Sequence, residues 1–141
     1  MPSLIQRALL IATTAHLGQV DKNGAPYIEH PVRVSELVTT DDAKAVALLH
    51  DTIEDTEVTA ESLRNAQVPE HVIEAVVLLT RSVHVPSEEY YRKIKTNPLA
   101  LEVKLADISD NTSPERTQYL DEKTRLRLQK KYTHALSILK D

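Results

Sequence analysis

The chain has 141 residues, of which 41% are hydrophobic and 27% charged, and its formal net charge is -4. This length and composition predict a single globular domain over residues 1–141 and exclude a disordered chain. Acidic residues outnumber basic ones, and the basic residues are scattered except near the C-terminus. Binding to a nucleic-acid polymer is therefore disfavoured, because such binding depends on a basic face.

The chain contains no cysteine. Disulfides and thiolate metal sites are thereby excluded, so any metal must be bound by His nitrogen and carboxylate oxygen. No uninterrupted apolar stretch approaches the length of a membrane span, and the N-terminus lacks a signal-peptide pattern. We therefore expect a cytoplasmic protein that makes no membrane contact. The oligomeric state is left open by the sequence, a homo-oligomer included.

Apolar residues recur at intervals of three and four along most of the chain, which predicts an all-α fold of about seven or eight helices. The first helix is expected over residues 3–17. An Asn-Gly pair and a Pro follow, and they predict at most a minimal β-hairpin near 20–28. A second helix is expected over 31–38, because its first residue is Pro, and His30 then lies at its entrance.

Asp41 and Asp42 can cap a third helix, which is expected to continue through the motif ALLHDTIEDT, residues 47–56. The remaining predicted helices start at Thr59, Pro69, Ser87 and Asn97, and the last one covers 118–139.

The motif places four polar residues on one side of the predicted third helix. At about 100° per residue, His50, Asp51, Glu54 and Asp55 fall within about 140° around the helix axis. Like charges at this spacing destabilise a helix, so a positive charge should compensate them.

Two interpretations of this cluster are open. It is either a solvated acidic face or part of a buried site that holds a cation. The apolar run before His50 favours the second interpretation, because carboxylates next to a core persist when they are paired or coordinate a metal. A metal shared by His50 and Asp51 needs further ligands from elsewhere in the chain.

His30 and Asp107 are the candidates for these further ligands. His30 stands between two apolar segments, and Asp107 interrupts the apolar run LEVKLA. Each residue alone is compatible with a structural role. Together with His50 and Asp51, however, they form a set of two nitrogens and two carboxylates that leaves coordination positions open for water or phosphate oxygen.

The ordered motifs AHLGQVDKNGAPYIEHP, LHDTIEDT and VKLADISDN resemble the HD-domain hydrolases of the RelA/SpoT group. More specifically, the chain is similar to a small stand-alone alarmone hydrolase, from His16 to nearly the C-terminus.

The resemblance implies a role for each matching residue. The metal, usually manganese, would be held by His30, His50, Asp51 and Asp107, and Glu54 and Asp55 would activate the metal-bound water and relay protons. Lys22 and Asn111 would lie near the nucleotide. The implied reaction is the removal of pyrophosphate from the ribose 3′ position of (p)ppGpp, and Lys104 is a further candidate for binding substrate phosphate.

The chain departs from the family pattern on the nucleotide side. Asp21 stands where the better-known members carry an Arg that stacks on guanine, and Pro114 replaces a small hydroxyl residue. Another nucleotide, such as ppApp, NADPH or a deoxynucleotide, is therefore an open alternative. A nucleotide-binding protein without turnover is a second alternative, although the presence of Glu54 and Asp55 argues against it.

Overall fold

The computed structural model describes residues 2–141, and the apolar periodicity of the sequence appears there as ten helices. They are α1 (Leu4–Ala15), α2 (Glu29–Glu36), α3 (Asp41–Leu49), α4 (Thr52–Asp55), α5 (Ala60–Asn65), α6 (Glu70–Leu78), α7 (Ser87–Lys95), α8 (Pro98–Asn111), α9 (Pro114–Thr117) and α10 (Glu122–Leu139). The all-α prediction is confirmed. Helices α4 and α9 have only four residues each, so the expected seven or eight helices correspond to the longer ones.

Polar side chains cap the starts of five of the ten helices that the structure describes. Ser3 accepts a hydrogen bond from the backbone N–H of Gln6, whose side chain returns a bond to Ser3, and this capping box starts α1. Thr59 starts α5 in the same way, and Asn97 precedes Pro98 at the start of α8. These three starts agree with the sequence-based expectation.

Apart from the start of α2, three of the predicted starts were wrong. Thr40 caps α3 in place of the expected aspartates, since its hydroxyl accepts from the N–H of Ala43. Helix α7 includes Ser87, and Pro86 precedes it. The last helix begins only after Asp121, whose carboxylate accepts from the N–H of Thr124. In each case a neighbouring residue has the extended backbone that the start of the helix requires.

The turn between α1 and α2 is the predicted minimal hairpin. Its only antiparallel bridge within the described residues joins Val20 and Pro26. Gly24 has a positive φ of 83°, which glycine adopts without steric cost. The carboxylate of Asp21 closes the turn by accepting from the N–H groups of Asn23 and Ala25 at 2.8 and 3.0 Å. Asp21 is therefore a structural residue of this turn.

Helix α2 begins at Glu29, so His30 lies inside its first turn and the predicted start at residue 31 was wrong. The N–H of His30 bonds to the carbonyl of Tyr27 at 3.0 Å. Pro31 is tolerated there because the first N–H groups of a helix have no partner within it.

The expectation of one continuous helix through the motif was also wrong, because α3 ends at Leu49 and α4 starts at Thr52. Side chains satisfy the last carbonyls of α3: the Nδ1 atom of His50 donates to Ala47, and the hydroxyl of Thr52 donates to Leu49 at 2.8 Å. The backbone at His50 and Asp51 keeps near-helical angles, so both side chains still leave the end of α3 close together.

Helix α3 lies at the centre of the fold. It packs against α1, α2, α6 and α8, and its residues from Ala45 to Leu49 are all buried. His50 therefore lies at the edge of the hydrophobic core, where α3 ends. The position of the site is fixed by the packing of this one helix.

Across residues 2–141, no helix combines the length and the apolarity that crossing a bilayer requires.

We predict that Leu49→Ala lowers the free energy of unfolding by about 2–5 kcal/mol, because Leu49 is fully buried beside the site and a cavity would remain. Urea denaturation followed by circular dichroism measures this change. Leu10→Ala is the control, since Leu10 is 69% exposed in α1 and should change stability by no more than about 0.5 kcal/mol. Equal effects of the two substitutions would contradict the central position of α3.

Candidate functional site

A cleft of about 420 Å³ opens where the turn before α2, the α3–α4 junction, α8 and α10 meet. All of the residues predicted for the site except His50 line it. The lining residues are Val20, Asp21, Lys22, Asn23, Tyr27, His30, Asp51, Glu54, Asp55, Lys104, Asp107, Asn111, Arg116, Leu120, Leu128, Lys131 and Tyr132. His50 lies in the wall behind this surface and is 3% exposed.

His50 is oriented by the end of α3. Its Nδ1 atom lies 2.5 Å from the carbonyl oxygen of Ala47, which can only accept, so Nδ1 carries the proton. Its Nε2 atom points the other way, 3.3 Å from Oδ1 of Asp107 and 3.1 Å from Oδ2 of Asp51. The ring therefore presents Nε2 to two carboxylates.

His30 has the same arrangement with different partners. Its Nδ1 atom lies 2.6 Å from Oδ2 of Asp110, and its Nε2 atom lies 2.8 Å from Oδ1 of Asp107. The carboxylate of Asp110 accepts the Nδ1 proton, so the two histidines direct their Nε2 atoms at one oxygen of Asp107.

The ligand atoms of His30, His50 and Asp107 lie within 4.8 Å of one another. Asp51 belongs beside them, because its Oδ2 atom is 3.1 Å from Nε2 of His50 and 4.0 Å from that of His30. Two imidazoles and two carboxylates suit a borderline or hard divalent cation. A hydrogen-bonded Nδ1 on each histidine is also the usual arrangement around a metal, since it leaves Nε2 to coordinate. These residues therefore fit a metal site.

The electrostatics of the cluster reflect strong coupling between acids and imidazoles. Burial acts to raise the pKa of Asp107, but the charge of Lys104 and the hydrogen bonds of both histidines outweigh it and lower the pKa well below its ordinary value. Burial acts to lower the pKa of His50 and of His30, but the neighbouring carboxylates outweigh it and raise both. Protonated imidazoles thus balance the buried acids, and a bound cation would displace those protons.

Tyr27 is a site residue that the sequence-based interpretation missed. Its hydroxyl donates to Oδ2 of Asp51, and its ring lies 5.8 Å from that of His30, centroid to centroid. Burial and the charge of Asp51 raise the pKa of Tyr27, so the hydroxyl stays a donor. The only sequence signal was its position three residues before His30.

Glu54 and Asp55 lie at the exposed end of the cluster, in α4. Glu54 accepts a hydrogen bond from the backbone N–H of Arg81 at 2.6 Å, which anchors its side chain. Burial and the charges of Asp51 and Glu54 raise the pKa of Asp55. The pair therefore combines an anchored carboxylate with one whose proton affinity is increased.

The cations of the cleft differ in their environment. Lys104 is largely buried, and its Nζ atom lies 3.1 Å from Oδ2 of Asp107, so much of its charge is already paired. Lys22 and Lys131 are exposed on the turn before α2 and on α10. Partial burial, together with the charges of Lys104 and Lys22, lowers the pKa of Lys131. The sequence-based interpretation missed Lys131, because charged residues of both signs lie along DEKTRLRLQKKY, which is typical of a solvated outer face.

Asn111, at the end of α8, donates from its amide to Oδ1 of Asp107 at 3.1 Å. Its oxygen accepts from Arg116 at 2.7 Å. Asp110 and Arg116 were both missed. The spacing of Asp110, three residues after Asp107, could have revealed the first, whereas Arg116 lies beyond the end of the helix and gave no local signal.

The two departures from the family pattern meet at Arg116. The carboxylate of Asp21 is 7% exposed and lies 3.3 Å from a guanidinium nitrogen of Arg116, so its charge is paired. Pro114 is the first residue of α9, the helix that carries Arg116.

Two further sets of rings lie near the cleft. His16 follows the last residue of α1, is buried, and bonds to Gln19 at 3.0 Å, so it has a packing role at the helix end. Tyr90 and Tyr91 are buried in the core, and the Tyr90 hydroxyl bonds to a backbone carbonyl. Neither ring is therefore available to stack on a base, and Tyr132 is the aromatic residue of α10 at the cleft.

Comparison with known proteins agrees with this geometry. Residues 8–125 match the sequence profile of the HD domain. The chain is 37% identical over 120 residues to a protein of Mycobacterium leprae named probable GTP pyrophosphokinase, which covers 74% of this chain and 15% of the relative. It is also 37% identical over 119 residues to the guanosine-3′,5′-bis(diphosphate) 3′-pyrophosphohydrolase of Aquifex aeolicus, which covers 76% of this chain and 17% of the relative. The chain thus spans less than a fifth of the length of these relatives.

A solved structure is similar over almost the whole chain. It was described as a metazoan ortholog of SpoT that hydrolyzes ppGpp and plays a role in starvation responses. The two are 26% identical with a TM-score of 0.77, and the similarity covers 98% of this chain and 85% of the other.

We predict that chelator-treated protein is most stable between about pH 4 and pH 6.5. The raised pKa values of His30 and His50 stabilise the fold below about pH 6.5, and this contribution is lost as the pH rises through those values. The lowered pKa values of Asp107 and Asp110 stabilise it above about pH 4, and that contribution is lost in acid.

Thermal unfolding across this pH range, with chelator and with added manganese, measures the effect. Manganese should raise Tm more at about pH 8 than at about pH 6, because protons compete for the imidazoles. An equal rise at both pH values would contradict the coupling between protons and metal.

Proposed function

The chain belongs to the HD-domain family, and we propose that it is a metal-dependent phosphohydrolase that releases pyrophosphate from the ribose 3′ position of (p)ppGpp. The observation that carries this proposal is the convergence of His30, His50 and Asp107 within 4.8 Å beside a cleft that also bears Glu54 and Asp55. The names of the Aquifex relative and of the similar solved structure support the same substrate.

In this proposal His30, His50, Asp51 and Asp107 hold a divalent cation, most suitably manganese. Such a cation, when bound, lowers the pKa of a coordinated water and polarises a phosphoryl oxygen. The hydrogen bonds at the two Nδ1 atoms keep both rings in the tautomer that offers Nε2. Tyr27 holds Asp51 from the other side.

Glu54 and Asp55 handle the proton of the attacking water. Burial and the charges of Asp51 and Glu54 raise the pKa of Asp55, which increases its affinity for the proton of the attacking water. Glu54 is fixed by the N–H of Arg81, which directs one of its carboxylate oxygens and limits its rotation. Because both side chains are exposed at the cleft, they can reach a substrate there.

Substrate phosphates bind next to the cations of the cleft. Lys22 and Lys131 are the exposed ones, so their side chains are accessible to a phosphate, whereas Lys104 mainly balances Asp107. The amide of Asn111 faces the same space and serves the nucleotide sugar.

The identity of the base depends on the turn that contains Asp21. Its carboxylate is paired with Arg116 and bonded to its own turn, so it adds little repulsion toward a phosphate. It also provides no stacking partner for guanine. For this reason ppApp, NADPH and deoxynucleotides stay as competing substrates, and manganese, the cytoplasmic location and the single-domain extent stay predictions.

We predict that Glu54→Gln lowers kcat by about 100-fold or more, because the substituted amide cannot take the proton from water. Bound manganese, counted by elemental analysis, should stay at the wild-type level. The matched control is Glu89→Gln, an exposed glutamate in α7 that pairs with Lys93. Loss of metal from the Glu54 variant would instead identify Glu54 as a ligand.

A manganese-loaded activity screen tests the substrate. We expect ppGpp to release pyrophosphate faster than ppApp, NADPH or a deoxynucleoside triphosphate releases pyrophosphate or phosphate. Chromatography of the products distinguishes the two leaving groups. A higher kcat/KM for any of the other nucleotides would overturn the (p)ppGpp assignment while leaving the metal-dependent hydrolysis in place.

A further inference from the structure

The guanidinium group of Arg116 contacts four residues of the site. One nitrogen, Nη1, lies 3.0 Å from Oδ2 of Asp110 and 2.7 Å from Oδ1 of Asn111, both in α8. The other, Nη2, lies 3.3 Å from Asp21 in the turn before α2. The Nη1 atom is also 3.2 Å from Nδ1 of His30. The Arg116 side chain is only 18% exposed, so it is a built-in part of the cleft wall.

The contact of Arg116 with Asp110 acts on the metal centre through His30. Oδ2 of Asp110 lies 2.6 Å from Nδ1 of His30, closer than Arg116 does, so the imidazole proton goes to the carboxylate. Arg33 donates to the other oxygen of Asp110 at 2.9 Å. Two guanidinium groups thus fix the orientation of this carboxylate, and the carboxylate fixes the His30 ring.

The contact of Arg116 with Asn111 acts on the metal centre through Asp107. Because Arg116 can only donate, it selects the oxygen of the Asn111 amide. The amide nitrogen is thereby turned toward Oδ1 of Asp107, at 3.1 Å. The carboxylate of Asp107 can only accept and favours the same orientation, so Arg116 and Asp107 together hold the amide in place.

The turn before α2 is attached to the same residue. Asp21 pairs with the guanidinium, and the side-chain amide of Asn23 donates to the backbone carbonyl of Arg116 at 3.1 Å. Helix α9 is a single turn and gives little stability of its own. Both contacts therefore help to keep Arg116 directed into the cleft wall.

We propose that Arg116 is a positioning residue for the metal centre, which sets the affinity for the metal by orienting His30 through Asp110 and Asp107 through Asn111. This inference rests on the proposed metal-dependent function. Arg116 itself offers no ligand atom, because a guanidinium has donors only.

The geometry requires an arginine. A lysine has a single ammonium group and would keep the positive charge near Asp110, but it cannot reproduce the planar fork that meets Asp110, Asn111 and Asp21 together. A glutamine removes the charge as well. The order of metal affinities expected for position 116 is therefore arginine, then lysine, then glutamine.

Calorimetric titration with manganese tests the proposal on the full chain. R116Q should weaken manganese binding by about 10-fold or more, as the loss of residues that orient metal ligands commonly does. R116K should weaken it less, because the ammonium group keeps a positive charge near Asp110. The matched control is R64Q, which removes an exposed arginine paired with Glu61 and Glu70 and should bind within about 2-fold of the wild type.

A double variant tests the route of the effect. D110N and R116Q both loosen the same hydrogen bond to His30, so the combined loss of affinity should be smaller than the product of the single losses. Fully independent losses would overturn the route through Asp110.

The outcomes separate this inference from the proposed function. Wild-type protein that takes up no manganese, zinc or iron overturns the proposed function. If the wild-type protein and R116Q bind manganese equally tightly, only the positioning role of Arg116 is overturned. A loss in R64Q as large as that in R116Q would assign the effect to general stability and would overturn the role as well.

Discussion

The buried carboxylate of Asp107 is the charge on which the arrangement of the site depends. A single ionised acid in a helical core is costly unless it is paired. Here Lys104, Asn111 and the Nε2 atoms of His30 and His50 all point at it. The cost of burying this charge is offset by residues from three separate helices or helix ends, so the fold and the site are stabilised by the same contacts.

The position of His50 follows from helix packing. Helix α3 is surrounded by four other helices, and the break after Leu49 directs His50 and Asp51 out of the core together. A continuous helix would have spread the four polar residues of the motif around one face. The break instead separates their roles, since His50 is buried with the ligands while Glu54 and Asp55 are exposed at the cleft.

Charge pairing also explains the departures from the family pattern. Asp21 replaces a cation on the nucleotide side, yet its carboxylate meets Arg116, so the turn keeps its shape and its local charge stays balanced. Arg116 reaches this place because Pro114 starts a short helix just after α8. The two unusual residues are thus parts of one structural feature, which connects the nucleotide side of the cleft to the ligand side.

The sequence by itself determined the helical class, the helix starts at Ser3, Thr59 and Asn97, and the residues that converge at the cleft, because periodicity, capping and motif spacing are local properties. It could not determine the break after Leu49 or the start of α2, because these depend on local hydrogen bonds of His50, Thr52 and His30 that apolar periodicity does not reveal. It also could not reveal Arg116, since this residue is 95 positions from Asp21. Only the tertiary structure decided that contact, because pairing of buried charges acts through space and leaves no periodic trace in the chain.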